Sequence, residues 1–225
     1  MSAEKADIAL FHTADIHVGT FGRLFATLAP DIRIAHAVRP DLLADAERAG
    51  GATDRVVAAA ADALADHVRA TGARAGLCTC TTIADAADRV AEKTGNPVLR
   101  VDRALAEAAF AAGPRVLIAA CVKTTLAPTE ALFRRVAAEI RPDADIRLVL
   151  LEDAWPLFHE GDIDGYAAAI AEGVRKAVSG RPVDAVALAQ ASMTPAEAML
   201  GDLGMPVFSS PAPAVRAALA ALGRT

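Results

Sequence analysis

The sequence predicts an α/β fold of two pseudo-symmetric halves, each a mostly parallel sheet flanked by helices, with the active-site cleft between them. Three observations predict it. Short apolar runs alternate with longer helix-periodic stretches along the chain, the pattern of repeated βα units. Alanine fills about a quarter of the residues and aromatics only 4%, which suits helices packed closely on a small-residue sheet. The chain also repeats weakly on itself at an offset of about 110 residues, so that Ile8-Ala9-Leu10-Phe11-His12-Thr13 falls on Ile118-Ala119-Ala120-Cys121-Val122-Lys123. At the same offset Leu77-Cys78-Thr79-Cys80-Thr81-Thr82 falls on Ala187-Leu188-Ala189-Gln190-Ala191-Ser192, both strand–loop–helix units.

The elements follow from hydrophobic pattern. The short apolar runs, read as strands, are Ile8–Phe11, Ile32–Ala37, Gly76–Thr79, Pro97–Arg100, Val116–Cys121, Ile146–Leu151, Val183–Ala189 and Val207–Ser209. The longer stretches between them, read as helices, are Arg23–Ala29, Leu42–Arg48, Arg55–Thr71, Ile83–Thr94, Arg103–Ala112, Thr129–Ile140, Gly165–Ser179, Ala196–Leu203 and Ala212–Leu222. Helix-start signals sharpen two of them. Thr82 reads as an N-cap with Asp85 three residues on; Thr194 reads as an N-cap followed by Pro195 and Glu197. Ser209-Ser210-Pro211 repeats the pattern near the end of the chain. The expected halves are residues 1–97 joined by 207–225, and residues 98–206. Each is Rossmann-like, with ligands expected beyond the carboxyl ends of its strands.

Composition excludes several classes. The formal net charge is −5 and no Lys/Arg run exceeds Arg134-Arg135, so nucleic acid is not expected as a partner. The acid-bearing N-terminus does not resemble a signal peptide, and no stretch approaches the apolar length of a membrane span. Three cysteines cannot complete a disulfide framework, which points to a reduced, cytoplasmic setting. No glycine-rich dinucleotide or phosphate loop is present, and only four lysines are available to bind a cofactor covalently. Cys78, Cys80 and Cys121 lack the usual metal-ligand spacing. No cofactor and no metal are expected, while alanine-rich helices make a homo-oligomer an expectation.

The chemistry concentrates on strand-end loops. Cys80 follows an apolar strand and precedes a helix start, where backbone N–H groups and the helix dipole favour thiolate and can hold a carboxylate. Cys78, inside the strand, reads as a core residue. Gln190 and Ser192 occupy the matching loop after Val183–Ala189, where they can donate hydrogen bonds. Thr124 and Thr125 follow Val116–Cys121, and their hydroxyls can grip an oxyanion. His12 and Thr13 end the first strand, and His36 ends the second.

These blocks resemble the aspartate/glutamate/hydantoin racemase superfamily. The resemblance rests on Leu77-Cys78-Thr79-Cys80-Thr81-Thr82-Ile83, Pro97-Val98-Leu99-Arg100-Val101-Asp102-Arg103-Ala104, Thr124-Thr125-Leu126-Ala127-Pro128-Thr129, Leu188-Ala189-Gln190-Ala191-Ser192-Met193 and Ser209-Ser210-Pro211, which span almost the whole chain. It implies a cofactor-independent enzyme acting on a small carboxylic acid, with its site between two α/β halves. It places Cys80 at the first catalytic cysteine and Thr81, Thr82, Thr124 and Thr125 at the carboxylate. Thr13, Ala191 and Ser192 become further substrate contacts. One departure matters: Gln190 stands where a racemase has its second cysteine, and a neutral amide cannot exchange a proton. Three readings follow. Cys80 is the base or nucleophile of a racemase-type isomerase, with His12 as the second acid/base. Alternatively the chain is a one-cysteine decarboxylase or a cis–trans isomerase of a dicarboxylate. The third reading is a carboxylate-binding protein without catalysis.

Overall fold

The computed structural model describes residues 5–224. In chain order the elements are β1 (Ile8–His12), α1 (Ile16–Leu28), β2 (Ile34–Val38), α2 (Pro40–Arg48), α3 (Asp54–Thr71), β3 (Ala75–Cys78), α4 (Asp85–Thr94), β4 (Val98–Arg100), α5 (Arg103–Ala112), β5 (Arg115–Ala120), α6 (Lys123–Ile140), β6 (Asp145–Leu150), α7 (Trp155–Glu160), α8 (Ile163–Val178), β7 (Ala185–Leu188), α9 (Thr194–Met199), β8 (Val207–Ser209) and α10 (Pro211–Ala221). Short 3-10 turns at Thr81–Ile83, Glu152–Ala154 and Ala191–Met193 precede α4, α7 and α9.

The described residues form two compact units, one ending at Val101 and regained from Pro211, the other running from Asp102 to Ser210. The first holds a four-stranded parallel sheet ordered β2-β1-β3-β4. Both central strands are buried along their whole length, as parallel strands covered on two faces must be. On one face α2, α3 and α4 bury Leu42, Val57, Leu64 and Val90 against Phe11 and Cys78. Helix α3 is bounded by a Thr53 side chain that accepts from the Val56 N–H and by Gly72, whose φ of 61° is the left-handed cap that glycine adopts without strain. Helix α10 packs on β3, β4 and α1.

The second unit repeats the plan, with a parallel sheet ordered β6-β5-β7-β8. One face carries α5 and α6 around Phe110, Leu132 and Phe133; the other carries α7, α8 and α9 around Tyr166, Ile170 and Val174. Among the described residues no helix is long and apolar enough to cross a membrane.

The structure moves several expected boundaries. Pairing puts β4 with β3 and β8 with β7, so each sheet is complete before the chain leaves it, and only α10 returns to the first unit. The expected breaks at 97/98 and 206/207 fall one strand early. Helix α1 starts seven residues before Arg23 because His17, Phe21 and Phe25 bury one face at four-residue spacing, despite Gly19 and Gly22. Helix α6 begins at Lys123, not Thr129, and runs through Pro128. The proline removes the N–H that would meet the Thr124 carbonyl. Helix α7 is absent from the sequence reading; its six residues are too few to show a period, and Trp155 stacks on Phe158 at 4.8 Å.

Candidate active site

In the first unit the reactive groups gather at the carboxyl end of the sheet. Cys80 directly follows β3 and the Thr79 link, in extended backbone, and is partly buried against the α2–α4 core. Its sulfur takes hydrogen bonds from the hydroxyls of Thr13 and Thr82 and from the N–H groups of Thr82 and Ile83. Thr81 and Thr82 are 4% and 3% exposed and lie in the 3-10 turn, so Thr82 donates to the thiol instead of capping α4, whose cap residue is Ala84. The loop thus supplies the donors foreseen for Cys80. Burial nevertheless pushes the thiol above its ordinary value, and the four hydrogen bonds that favour thiolate only offset part of this. The expected low thiol pKa is overturned by desolvation.

His12 is fully buried and both ring nitrogens are engaged. The Thr79 hydroxyl donates its only proton to the Phe11 carbonyl at 3.1 Å, so it accepts from His12 Nδ1–H at 2.7 Å. His12 Nε2 then accepts from His36 Nδ1–H at 2.9 Å. The chain of bonds ties the end of β1 and the residue after β3 to the middle of β2, where His36 lies instead of at the strand end expected for it. Burial first, and then the neighbouring histidines, lower the His12 pKa to about 3; burial alone takes His17 to about 4. His12 is a neutral imidazole in this fold.

In the second unit the strand register corrects the internal match. Phe11 pairs with Cys78, and Ala119 with Leu188. Arg39 N–H bonds the His12 carbonyl just as Leu151 N–H bonds that of Ala120. Ala120 and Cys121 are therefore the counterparts of His12 and Thr13, two residues before the expected Val122 and Lys123. The pairing of Cys80 with Gln190 stands, since Cys78 and Leu188 share a register position.

Gln190 Oε1 accepts from the N–H groups of Cys121 at 2.5 Å and Val122 at 3.1 Å. Thr124 and Thr125 lie in the first turn of α6, not in a loop, with Thr125 N–H on the Val122 carbonyl at 3.0 Å. Ala191 and Ser192 are buried in the 3-10 turn, and Thr194 donates to the Ala191 carbonyl at 2.9 Å instead of capping α9. Glu197 takes Ser209 N–H at 3.1 Å and the Ser209 hydroxyl, fastening α9 to β8.

Tyr166 was not singled out from the sequence. Fully buried on α8, its hydroxyl meets Ser192 Oγ at 3.0 Å and also bonds Cys121, whose thiol burial pushes up to about 11. A tyrosine four residues after an Asp162 N-cap, inside an alanine-rich helix, is the signal that was available. Tyr166→Phe leaves both partners short of a bond in the core, and urea denaturation is expected to register a loss of about 1–3 kcal/mol.

Comparison with known proteins places the chain. The model of the family described as Asp/Glu/Hydantoin racemase matches residues 28–218. The chain belongs to this family. Solved structures share its fold. Glutamate racemase from Francisella tularensis, solved with D-glutamate, has a TM-score of 0.76 at 15% identity, over 98% of this chain and 82% of that one. Allantoin racemase from Pseudomonas fluorescens has a TM-score of 0.69 at 17% identity, over 97% and 92%. Aspartate racemase from Picrophilus torridus has 0.68 at 12%, over 97% and 94%. No curated protein matches the sequence. Within this racemase family member, no group of three His, Cys, Asp or Glu side chains among the described residues is placed to hold a metal ion.

Proposed function

We propose that the chain is a cofactor-independent enzyme that acts on a small carboxylic acid through one thiol, Cys80, exchanging a proton on a single face of the acid's α-carbon. One outcome suits that chemistry: decarboxylation, in which CO₂ leaves and the thiol protonates the carbanion left behind. The family and the racemases that share the fold act on or are named for small acids and related carbon acids, which supports the substrate class. The observation that carries the one-thiol reading is the asymmetry of the two matching positions. Cys80 is ringed by four hydrogen-bond donors, whereas Gln190 has its amide oxygen fixed to the backbone.

The other candidates for a second proton carrier are engaged elsewhere. Cys121 is buried and bonded to Tyr166, and both nitrogens of His12 are occupied. His12 reads as a positioning residue that fixes the strand end carrying Thr13. A thiol kept neutral by burial is suited to give a proton to a carbanion and then recover one from solvent. Thr81, in the same 3-10 turn as Thr82, would meet the carboxylate.

Proton NMR in D₂O with amino acids, hydroxy acids, malonates and maleate tests this reading. Wild type is expected to convert or deuterate at least one acid, and Cys80→Ala none. Equal turnover by both proteins contradicts it.

A further inference from the structure

Helix periodicity makes His17 a core residue. It shares the buried face of α1 with Phe21 and Phe25 and is 8% exposed, its ring 6.4 Å from that of Phe21. Yet the imidazole is not satisfied as a core group is. Nδ1 is enclosed without a hydrogen-bond partner among the described residues. His12 is the contrast, its ring 6.3 Å away and both its nitrogens engaged.

The unmet nitrogen fixes the tautomer. A neutral imidazole has one N–H and one bare nitrogen, and an enclosed N–H without an acceptor is rarer than an enclosed lone pair without a donor. Nδ1 is therefore bare, and Nε2, which is not enclosed in this way, carries the proton. Burial holds the ring neutral, lowering its pKa to about 4. His17 is thus a hydrogen-bond donor at one nitrogen and not a proton carrier. It lies in the first turn of α1, four residues past Thr13, whose hydroxyl bonds the Cys80 sulfur. The strands that lead to these two loops, β1 and β3, are neighbours in one sheet.

We infer that His17 Nε2–H is a catalytic hydrogen-bond donor to the carboxylate that the acid keeps when CO₂ leaves. The inference rests on the proposed function, which supplies the acid and the thiol. As the bond to CO₂ breaks, its electron pair passes into the remaining carboxylate, giving an enediolate whose oxygens carry the new charge. His17 donates to one of those oxygens. The Cys80 S–H then protonates the α-carbon, and the thiolate takes a proton back from water. A neutral N–H that is already oriented and desolvated stabilises the charge without competing for the proton.

Kinetics of His17→Leu and His17→Gln, beside Cys80→Ala, with a malonate turned over in the NMR panel test it. Leucine fills the space without a donor and is expected to lower kcat by about 10²–10³-fold while KM changes by less than about threefold. Glutamine carries an amide N–H near the Nε2 position and is expected to recover at least about tenfold of that loss; a packing role predicts the reverse order. In wild type labelled with ¹⁵N-histidine, the His17 Nε2–H peak, assigned by its absence from His17→Gln, is expected to shift on adding malonate. That shift decides the matter should His17→Leu fail to fold. Wild-type kcat in His17→Leu, a His17→Gln no faster than His17→Leu, or an unmoved peak at saturating malonate overturns this inference, while an inactive Cys80→Ala leaves the proposed function standing. Equal turnover by Cys80→Ala and wild type, or none by wild type, overturns the proposed function and this inference with it.

Discussion

Cys80→Ser is expected to lower kcat by about 10³-fold while changing KM by less than about threefold. Serine is the smallest change that keeps a hydrogen-bonding group in the ring formed by Thr13, Thr82 and the Thr82 and Ile83 N–H groups. Its hydroxyl is a far weaker acid than a thiol and cannot deliver a proton at a useful rate near neutral pH. The groups assigned to the carboxylate are untouched, so binding should survive. The free thiol's alkylation supplies a companion result. Because burial raises the Cys80 pKa, its reaction with iodoacetamide is expected to reach half-maximal rate above the ordinary thiol range. Cys78→Ala and Cys121→Ala would silence the other two thiols. A midpoint below the ordinary range would mean a resting thiolate, and with it a base or nucleophile in place of a proton donor.

Folding stability is expected to fall by on the order of 4 kcal/mol between pH 7 and pH 5. The cause is the histidine group at the end of the first sheet, where His12 is lowered to about 3, His17 to about 4, and His36 in the same direction. His12 and His17 are neutral in the native state through this range, whereas the unfolded chain takes up protons as pH drops below about 6.5. The unfolded state then binds more protons, so stability falls with falling pH until the native values are reached. Urea denaturation across pH 7, 6 and 5 reads the slope. His12→Gln keeps a polar group between Thr79 and His36 while removing one titrating ring, and should flatten the slope by about one proton. A stability that stays level from pH 7 to pH 5 would contradict the neutral, buried state of His12 and His17.

The sheet was legible because its central strands are unbroken apolar runs; Ile8–Phe11 and Val116–Cys121 were placed within a residue of β1 and β5. The family was legible in the blocks around Cys80, Thr124 and Gln190. What escaped depends on tertiary contact. Pro128 reads locally as a helix start, yet packing of Leu132 and Phe133 carries α6 back through it to Lys123. Thr82 and Thr194 look like caps, but each hydroxyl has a better partner nearby, the Cys80 sulfur and the Ala191 carbonyl. At Cys80 the cost of burial, which no local pattern shows, outweighs the helix dipole and the nearby donors. The bond from His12 to Thr79 spans 67 residues and that from Gln190 to Cys121 spans 69, distances over which no local pattern speaks.

The stereochemical course in D₂O tests the central claim most directly. With a turned-over acid whose product has a stereogenic α-carbon, such as a substituted malonate, the product should carry one deuteron at that carbon and remain a single enantiomer by chiral chromatography throughout the reaction. A product that becomes racemic at the rate of turnover would require a second proton carrier on the opposite face and would contradict the one-thiol account.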